Sequence, residues 1–368
     1  MTTFLDFIVK QADQGRLDRR QVMKGMALAA GGALAGRIGG AQAAAAAGLA
    51  PAMTINHVNL GVADVKRTSD YYAAVLGAKI QAAPIPTVAT MYFPGATPQR
   101  GLWASIGSSG GESRKGIDGW DGKPGVITHV GYGVTAPNTD FPRIAAEVKK
   151  RFPMIKDPSL FKTEAAGQEC MIFDPDGIAF QLIPVEHNGT LTGYSKETGK
   201  KIEGAGGPPD KARTAPKEAS TGIAPVMSIN HIAFDVSNLD RSMEFYATVL
   251  GAVPKYTWEY NRMHTMELPG GKNGGGAWIS LNEVEPGKRL GYNHMAFGLD
   301  PNSDMEKIAA EVTKRFPVDT AKFPDKKNPS VYKMANWPGM DIFDPDGINF
   351  QLFQRGYDGE LPKLAKKQ

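Results

Sequence analysis

Large apolar residues alternate with small or polar ones in four short stretches, and a period of two marks strands with one face built for packing. The stretches are Ile55-Asn56-His57-Val58-Asn59-Leu60-Gly61-Val62, Ile127-Thr128-His129-Val130-Gly131-Tyr132-Gly133-Val134, Ile229-Asn230-His231-Ile232-Ala233-Phe234-Asp235-Val236 and Tyr292-Asn293-His294-Met295-Ala296-Phe297-Gly298-Leu299. One set of alternate positions is bulky: Val58, Leu60 and Val62, then Val130, Tyr132 and Val134, with Ile232, Phe234, Val236, Met295, Phe297 and Leu299 in the later copies. The other set carries one histidine among small or polar neighbours, such as His57 with Asn59 and Gly61, or His294 with Ala296 and Gly298. The bulky face suits a core under helices, so the histidines project into open space.

Helical spacing follows the first histidine strand of each half. Tyr71, Tyr72, Val75 and Leu76, and again Phe245, Tyr246, Val249 and Leu250, share one face, and Gly77 or Gly251 ends the helix. Short strands come next, including Thr90 to Phe93, Leu102 to Ile106 and Ala277 to Leu281. After the second histidine strand the pattern predicts a helix (Ile144 to Arg151; Ile308 to Arg315) and then a strand entered through Asp-Pro-Asp-Gly. That tetrapeptide is a turn by chemistry: proline presets φ, the aspartates bond locally, and glycine takes positive φ. The order β-α-β-β-β therefore occurs four times.

The same landmarks recur at large offsets. Tyr71-Tyr72-Ala73-Ala74-Val75-Leu76-Gly77-Ala78 returns as Phe245-Tyr246-Ala247-Thr248-Val249-Leu250-Gly251-Ala252, and Ile172-Phe173-Asp174-Pro175-Asp176-Gly177 as Ile342-Phe343-Asp344-Pro345-Asp346-Gly347. Two tandem homologous domains are expected, at 53–187 and 226–355, joined by a Lys-, Gly- and Pro-rich linker at 188–225 and followed by a tail at 356–368. With 368 residues, each domain has length enough to bury its own core.

The start of the chain changes the reading of its charge. Asp18-Arg19-Arg20-Gln21-Val22-Met23-Lys24 precedes a weakly apolar Ala/Gly stretch and the small-residue run Ala41-Gln42-Ala43, so residues 1–45 resemble a twin-arginine export signal. A general secretory signal or a plain Ala-rich leader is the alternative. The stretch is too short and too weakly apolar for a permanent membrane anchor. The whole chain is +4, but removing the six basic and three acidic residues of positions 1–45 leaves 36 basic against 35 acidic residues. A near-neutral mature chain gives no charge-based case for nucleic acid. Cys170 is the single cysteine, so no internal disulfide forms, which fits export of an already folded protein through the twin-arginine machinery to the periplasm or beyond.

With the histidine strands, the Phe/Tyr-Tyr-x-x-Val-Leu-Gly helices and Asp-Pro-Asp-Gly in order in both halves, the chain resembles the vicinal oxygen chelate superfamily of glyoxalases, type I extradiol dioxygenases, and fosfomycin- and bleomycin-resistance proteins. The resemblance implies an α+β fold in which paired β-α-β-β-β modules curl into an incomplete barrel around a cavity. It implies a divalent ion (iron, manganese, zinc or nickel) held by His57, His129 and Gln181 in the first domain and by His231, His294 and Gln351 in the second. Glutamine stands where the family usually has glutamate. Its amide oxygen still coordinates a metal, but it adds no negative charge, so weaker binding of a more electrophilic ion is expected. A histidine on a strand is commonly a packed, hydrogen-bonded residue. Four of six histidines at equivalent positions, on a face the core does not need, favour a metal site in one or both domains.

Around these trios the resemblance places Ser105 and Ser280 where glyoxalase I carries a carboxylate and extradiol dioxygenases an acid/base histidine. Serine without a partner is no base near neutral pH, which disfavours glyoxalase I isomerisation. Trp103, Trp278, Trp258 and Tyr260 are candidate cavity walls, and His264 a candidate second-cavity residue from a neighbouring strand. The Gly-rich stretches 107–111 and 270–276 lack the strand-helix context of a phosphate loop and read as cavity rims. Two functional classes follow: a metal-dependent oxygenase- or lyase-like enzyme acting on a small substrate that chelates the ion through adjacent oxygens, or a non-catalytic protein that sequesters a small molecule.

Overall fold

The computed structural model describes residues 48–82, 88–93, 103–108, 121–135, 139–163, 167–185, 222–258, 262–270, 277–334 and 337–354, with Tyr357 and Gly359. The expected signal segment and most of the expected linker lie outside these residues. The first half runs β1 (Ala52–Val62), α1 (Val65–Leu76), β2 (Lys79–Ala82), β3 (Val88–Tyr92), β4 (Trp103–Ser108), β5 (Val126–Val134), α2 (Phe141–Arg151), β6 (Ser159–Thr163), β7 (Gly167–Phe173) and β8 (Ala179–Pro184). The second repeats it as β9 (Val226–Val236), α3 (Leu239–Leu250), β10 (Val253–Trp258), β11 (Met263–Glu267), β12 (Trp278–Glu283), β13 (Gly291–Leu299), α4 (Met305–Arg315), β14 (Val331–Met334), β15 (Trp337–Phe343) and β16 (Asn349–Gln354). The fold is α+β: two eight-stranded sheets, ordered β2-β3-β4-β1-β5-β8-β7-β6 and β10-β11-β12-β9-β13-β16-β15-β14. The two histidine strands are antiparallel neighbours at the centre of each sheet.

Strict alternation does not survive beside the histidines, and the departure has one form. Ile55 and His57 face Tyr132 and Gly131, which are adjacent, so Asn56 is an extra residue on β1. Thr128 on β5, Asn230 on β9 and Asn293 on β13 are extra residues in the same way. Each of the four histidines thus follows a β-bulge, which re-aims a side chain and lets the residue before the bulge turn to the opposite face. Ile55 and Ile229 pack into the core, and Tyr292 lies 5.1 Å from the core ring of Phe234.

Each helix is capped locally. Asp64 and Asn238 accept from the backbone N–H of Arg67 and Arg241 at 2.9 Å, and Gly77 and Gly251 end α1 and α3 with φ of 69° and 67°. The helix C-termini are then covered from the other half. Ile223 and Ala224 donate to the carbonyls of Ala74 and Val75 at 3.0 and 2.7 Å, and Leu49 and Ala50 to those of Thr248 and Val249 at 2.9 and 2.8 Å. The approach requires glycine: a Cβ on Gly222 would lie 2.2 Å from the Gly77 nitrogen, and one on Gly48 2.4 Å from that of Gly251.

The expectation of a separate core for each domain is corrected by this packing. One cluster of buried apolar residues runs from Leu49 to Leu352 through both halves. The helix α1 lies on its own strands and also against the second half, with Tyr71 packed 5.1 Å from Phe316 and Tyr72 5.6 Å from Phe350. Its counterpart α3 sets Phe245 against Phe152 at 4.9 Å and Phe180 at 6.0 Å. Each Asp-Pro-Asp-Gly turn is also a docking point for the other half's helix. Arg67 pairs with Asp346 at 2.6 Å, and Arg241 with Asp176 at 2.5 Å. Among the described residues no helix is long and apolar enough to cross a membrane.

Candidate metal centre

Three adjacent strands bring each trio onto one face. His57 on β1 stands opposite Gly131 on β5, which stands opposite Gln181 on β8; His231, Ala296 and Gln351 repeat the row. His129 and His294 lie two residues along on the same face. The Nε2 atoms of His57 and His129 are 3.4 Å apart, and those of His231 and His294 are 3.1 Å apart. Both pairs meet edge to face, with ring planes at 88° and 80°. The His57 ring lies directly over Gly131, where a Cβ would come within 2.1 Å of it. In the second half Ala296 occupies that position, and His231 stacks on Trp278, 3.7 Å between ring centres.

The bulge residues fix the protons. Asn293 donates both 3.0 and 2.9 Å bonds from Nδ2 to Asp235, so its oxygen is the end 2.7 Å from His294 Nδ1. Asn230 donates from Nδ2 to the Tyr357 carbonyl at 2.7 Å, leaving Oδ1 2.8 Å from His231 Nδ1. An amide oxygen only accepts, so both imidazoles carry their proton on Nδ1 and turn a bare Nε2 lone pair toward each other. Two lone pairs at 3.1 Å repel unless a cation lies between them, and this donor set fits a metal ion. Burial holds His231 well below the ordinary histidine range, with a further push from His294, and lowers His294 to about 4. Both are neutral at physiological pH, the form that binds metal.

The first site is similar but not identical. Asn56 donates to the Val185 carbonyl and offers Oδ1 to His57 Nδ1 at 3.0 Å. His129 Nδ1 instead meets Asn59 Nδ2 at 3.2 Å and the Thr128 hydroxyl at 3.4 Å. The Thr128 hydroxyl itself donates to the Asn59 carbonyl at 3.4 Å. The second pair is the better-prepared metal ligand set.

Gln181 has a carboxylate bonded behind it, which the sequence reading missed, and Asp341 is the strand neighbour of Gln351. Gln181 donates from Nε2 to Glu169 Oε2 at 2.5 Å, and both side chains are buried. Gln351 stands directly opposite Ala296 on β13 and Asp341 on β15. Asp341 is raised above the usual carboxylate range by burial, against the opposing pull of its bonding to Gln351. The available signal was period two: 169 and 171, like 341, share a face with the glutamine.

The remaining candidates divide. Trp278 walls the second site beside Phe353 and Tyr357, and Ser280 shares its face but donates to Asn282 at 3.5 Å. Trp103 and Ser105 occupy strand positions opposite His57 and Asn59. Tyr260 lies outside the described residues. His264 does not join the site. Its strand position faces Leu281 on the helix-covered side, where it is buried and its Nδ1 bonds Thr257 at 3.0 Å.

Residues 54–182 and 228–352 match the model of the Glyoxalase/Bleomycin resistance protein/Dioxygenase superfamily. The chain belongs to that superfamily. Its structural neighbours include the 2,3-dioxygenase LapB from Pseudomonas sp. KL28, with a TM-score of 0.53 and 14% identity over 84% of this chain and 94% of that one. A Mn(II)-bound glyoxalase from Novosphingobium aromaticivorans aligns at 0.55 and 15% identity over 85% and 87%. A variant of homoprotocatechuate 2,3-dioxygenase from B. fuscum aligns at 0.59 and 13% over 86% and 76%. At such identities the likeness is one of fold. Among curated relatives, metallothiol transferase FosB of Staphylococcus haemolyticus is 35% identical over 81 residues, 21% of this chain and 52% of that protein. The chain thus spans about half the length of that relative.

Proposed function

We propose that this superfamily member is an exported metal-dependent enzyme, dioxygenase- or lyase-like, acting on a small substrate that chelates the ion through adjacent oxygens. The observation that carries the reading is the His231/His294 pair, whose Nδ1 protons are committed to Asn230 and Asn293 while two bare Nε2 atoms converge at 3.1 Å. A bound divalent ion supplies a Lewis-acidic anchor for two substrate oxygens and a place for dioxygen. The chain's own residues divide the remaining work. His231, His294 and Gln351 would hold the ion, with His57, His129 and Gln181 as the corresponding set. Trp278 keeps His231 in its orientation and offers an aromatic wall. The twin-arginine motif at Arg19-Arg20 supports delivery to the periplasm.

A second reading, sequestration without chemistry, draws on the hydroxyl of Ser280, which stands where an acid/base group would be expected and is bonded to Asn282. Loading the purified protein with Fe(II), Mn(II), Zn(II) or Ni(II), measuring metal content, and following oxygen uptake with catechols separates the two. Bound metal with turnover supports the enzyme; bound metal and ligand without turnover of any catechol favours sequestration; no bound metal removes the metal reading.

A further inference from the structure

We propose that Glu169 is a positioning residue for the metal-site glutamine Gln181: it grips the amide nitrogen so that the carboxamide oxygen faces the histidine pair, and it supplies from behind the negative charge that glutamine lacks. The inference rests on the metal reading above. A carboxamide has two ends of nearly equal size, and rotation by half a turn exchanges an oxygen that binds metal for an NH2 that does not. The geometry of the first site resolves this. Gln181 Nε2 lies 2.5 Å from Glu169 Oε2, a carboxylate can only accept, and the oxygen is therefore left on the other branch of the fork. Glu169 is 3% exposed and Gln181 6%, so water does not compete for either end.

The two halves place a carboxylate on the glutamine's face at different strand positions. Asp341 on β15 stands directly opposite Gln351, whereas the residue directly opposite Gln181 is Met171 on β7. Glu169 lies two residues before Met171 on the same face and reaches diagonally, and its extra methylene covers the added distance. The hydrogen bond that carries the proposal is the one between Glu169 and Gln181; Asp341 shares with Gln351 the strand pairing. The orientation of a metal ligand by a hydrogen-bonded group behind it is generally worth about 10–100-fold in affinity.

The test uses the full-length protein stripped of metal and titrated with Mn(II) and Zn(II) by calorimetry. Glu169→Gln is expected to weaken the first site about 10–100-fold, with melting temperature as a check on folding. The exchange Gln181→Glu with Glu169→Gln moves the charge onto the ligand and places an amide behind it; it is expected to restore binding at the first site to within a few-fold of wild type. A merely structural carboxylate would not be rescued in this way. A single variant that binds like wild type, or an exchange no better than the single, overturns the proposal. If wild type binds neither ion, the metal reading fails first. The grip itself is then read from the Gln181 side-chain amide protons, expected downfield in wild type and shifted back in Glu169→Gln; unmoved signals overturn it.

Discussion

The hydroxyl of Tyr246 on α3 donates to Asp174 at 3.1 Å, and that of Tyr72 on α1 donates to Asp344 at 3.3 Å, so each half closes the other half's Asp-Pro-Asp-Gly turn. Both aspartates also accept two backbone N–H groups within their own turns, from Asp176 and Ile178 and from Asp346 and Ile348, at 2.8 to 2.9 Å. Removing one hydroxyl leaves a buried carboxylate short of a donor. Tyr246→Phe and Tyr72→Phe are each expected to cost about 1–3 kcal/mol in urea unfolding. Midpoints equal to wild type would show that the seam does not depend on these bonds.

The same aspartates give a pH signature. Burial raises Asp174 and Asp344 to about 7, against the opposing backbone donors. The unfolded pKa is near the ordinary value of about 4, so between pH 4 and 7 the folded state binds more protons, and these two groups contribute less stability as pH rises. Asparagine cannot titrate. The double variant Asp174→Asn/Asp344→Asn should therefore gain melting temperature relative to wild type on going from pH 5 to pH 8. A constant difference across that range would contradict the raised values.

Gly131 is the residue over which the His57 ring lies. Gly131→Ala would place a methyl 2.1 to 2.9 Å from three ring atoms, which forces the imidazole aside. Metal content should fall by up to one ion per chain, with the second site unaffected because Ala296 already occupies the matching position. Loss of metal from both sites, or from neither in a protein that loads two, would contradict the geometry.

Export is read from the leader alone. Arg19→Lys/Arg20→Lys is expected to leave the precursor in the cytoplasm, and fractionation with an antibody to the mature chain measures it. Export of the variant at the wild-type level removes the twin-arginine assignment.

Much of this molecule was legible in local pattern, because period-two strands, amphipathic helices stopped by Gly77 and Gly251, and the Asp-Pro-Asp-Gly turns are dictated by near neighbours. The repeat made two tandem domains readable, and the small residues around each histidine marked the open face. What stayed hidden depends on partners distant in the chain. Asn56, Thr128, Asn230 and Asn293 become bulges only when their strands pair, because an extra residue exists only relative to the strand opposite. The face of His264 follows from its register with β12, and the reach of Glu169 to Gln181 from a diagonal between two strands. The single core arises because α1 and α3 carry more apolar and aromatic surface than their own sheets cover, and the other half supplies the rest. Short-range chemistry thus wrote the modules, while strand pairing and burial between the halves aimed the histidines, set the protons of His231 and His294 and placed Glu169 behind Gln181.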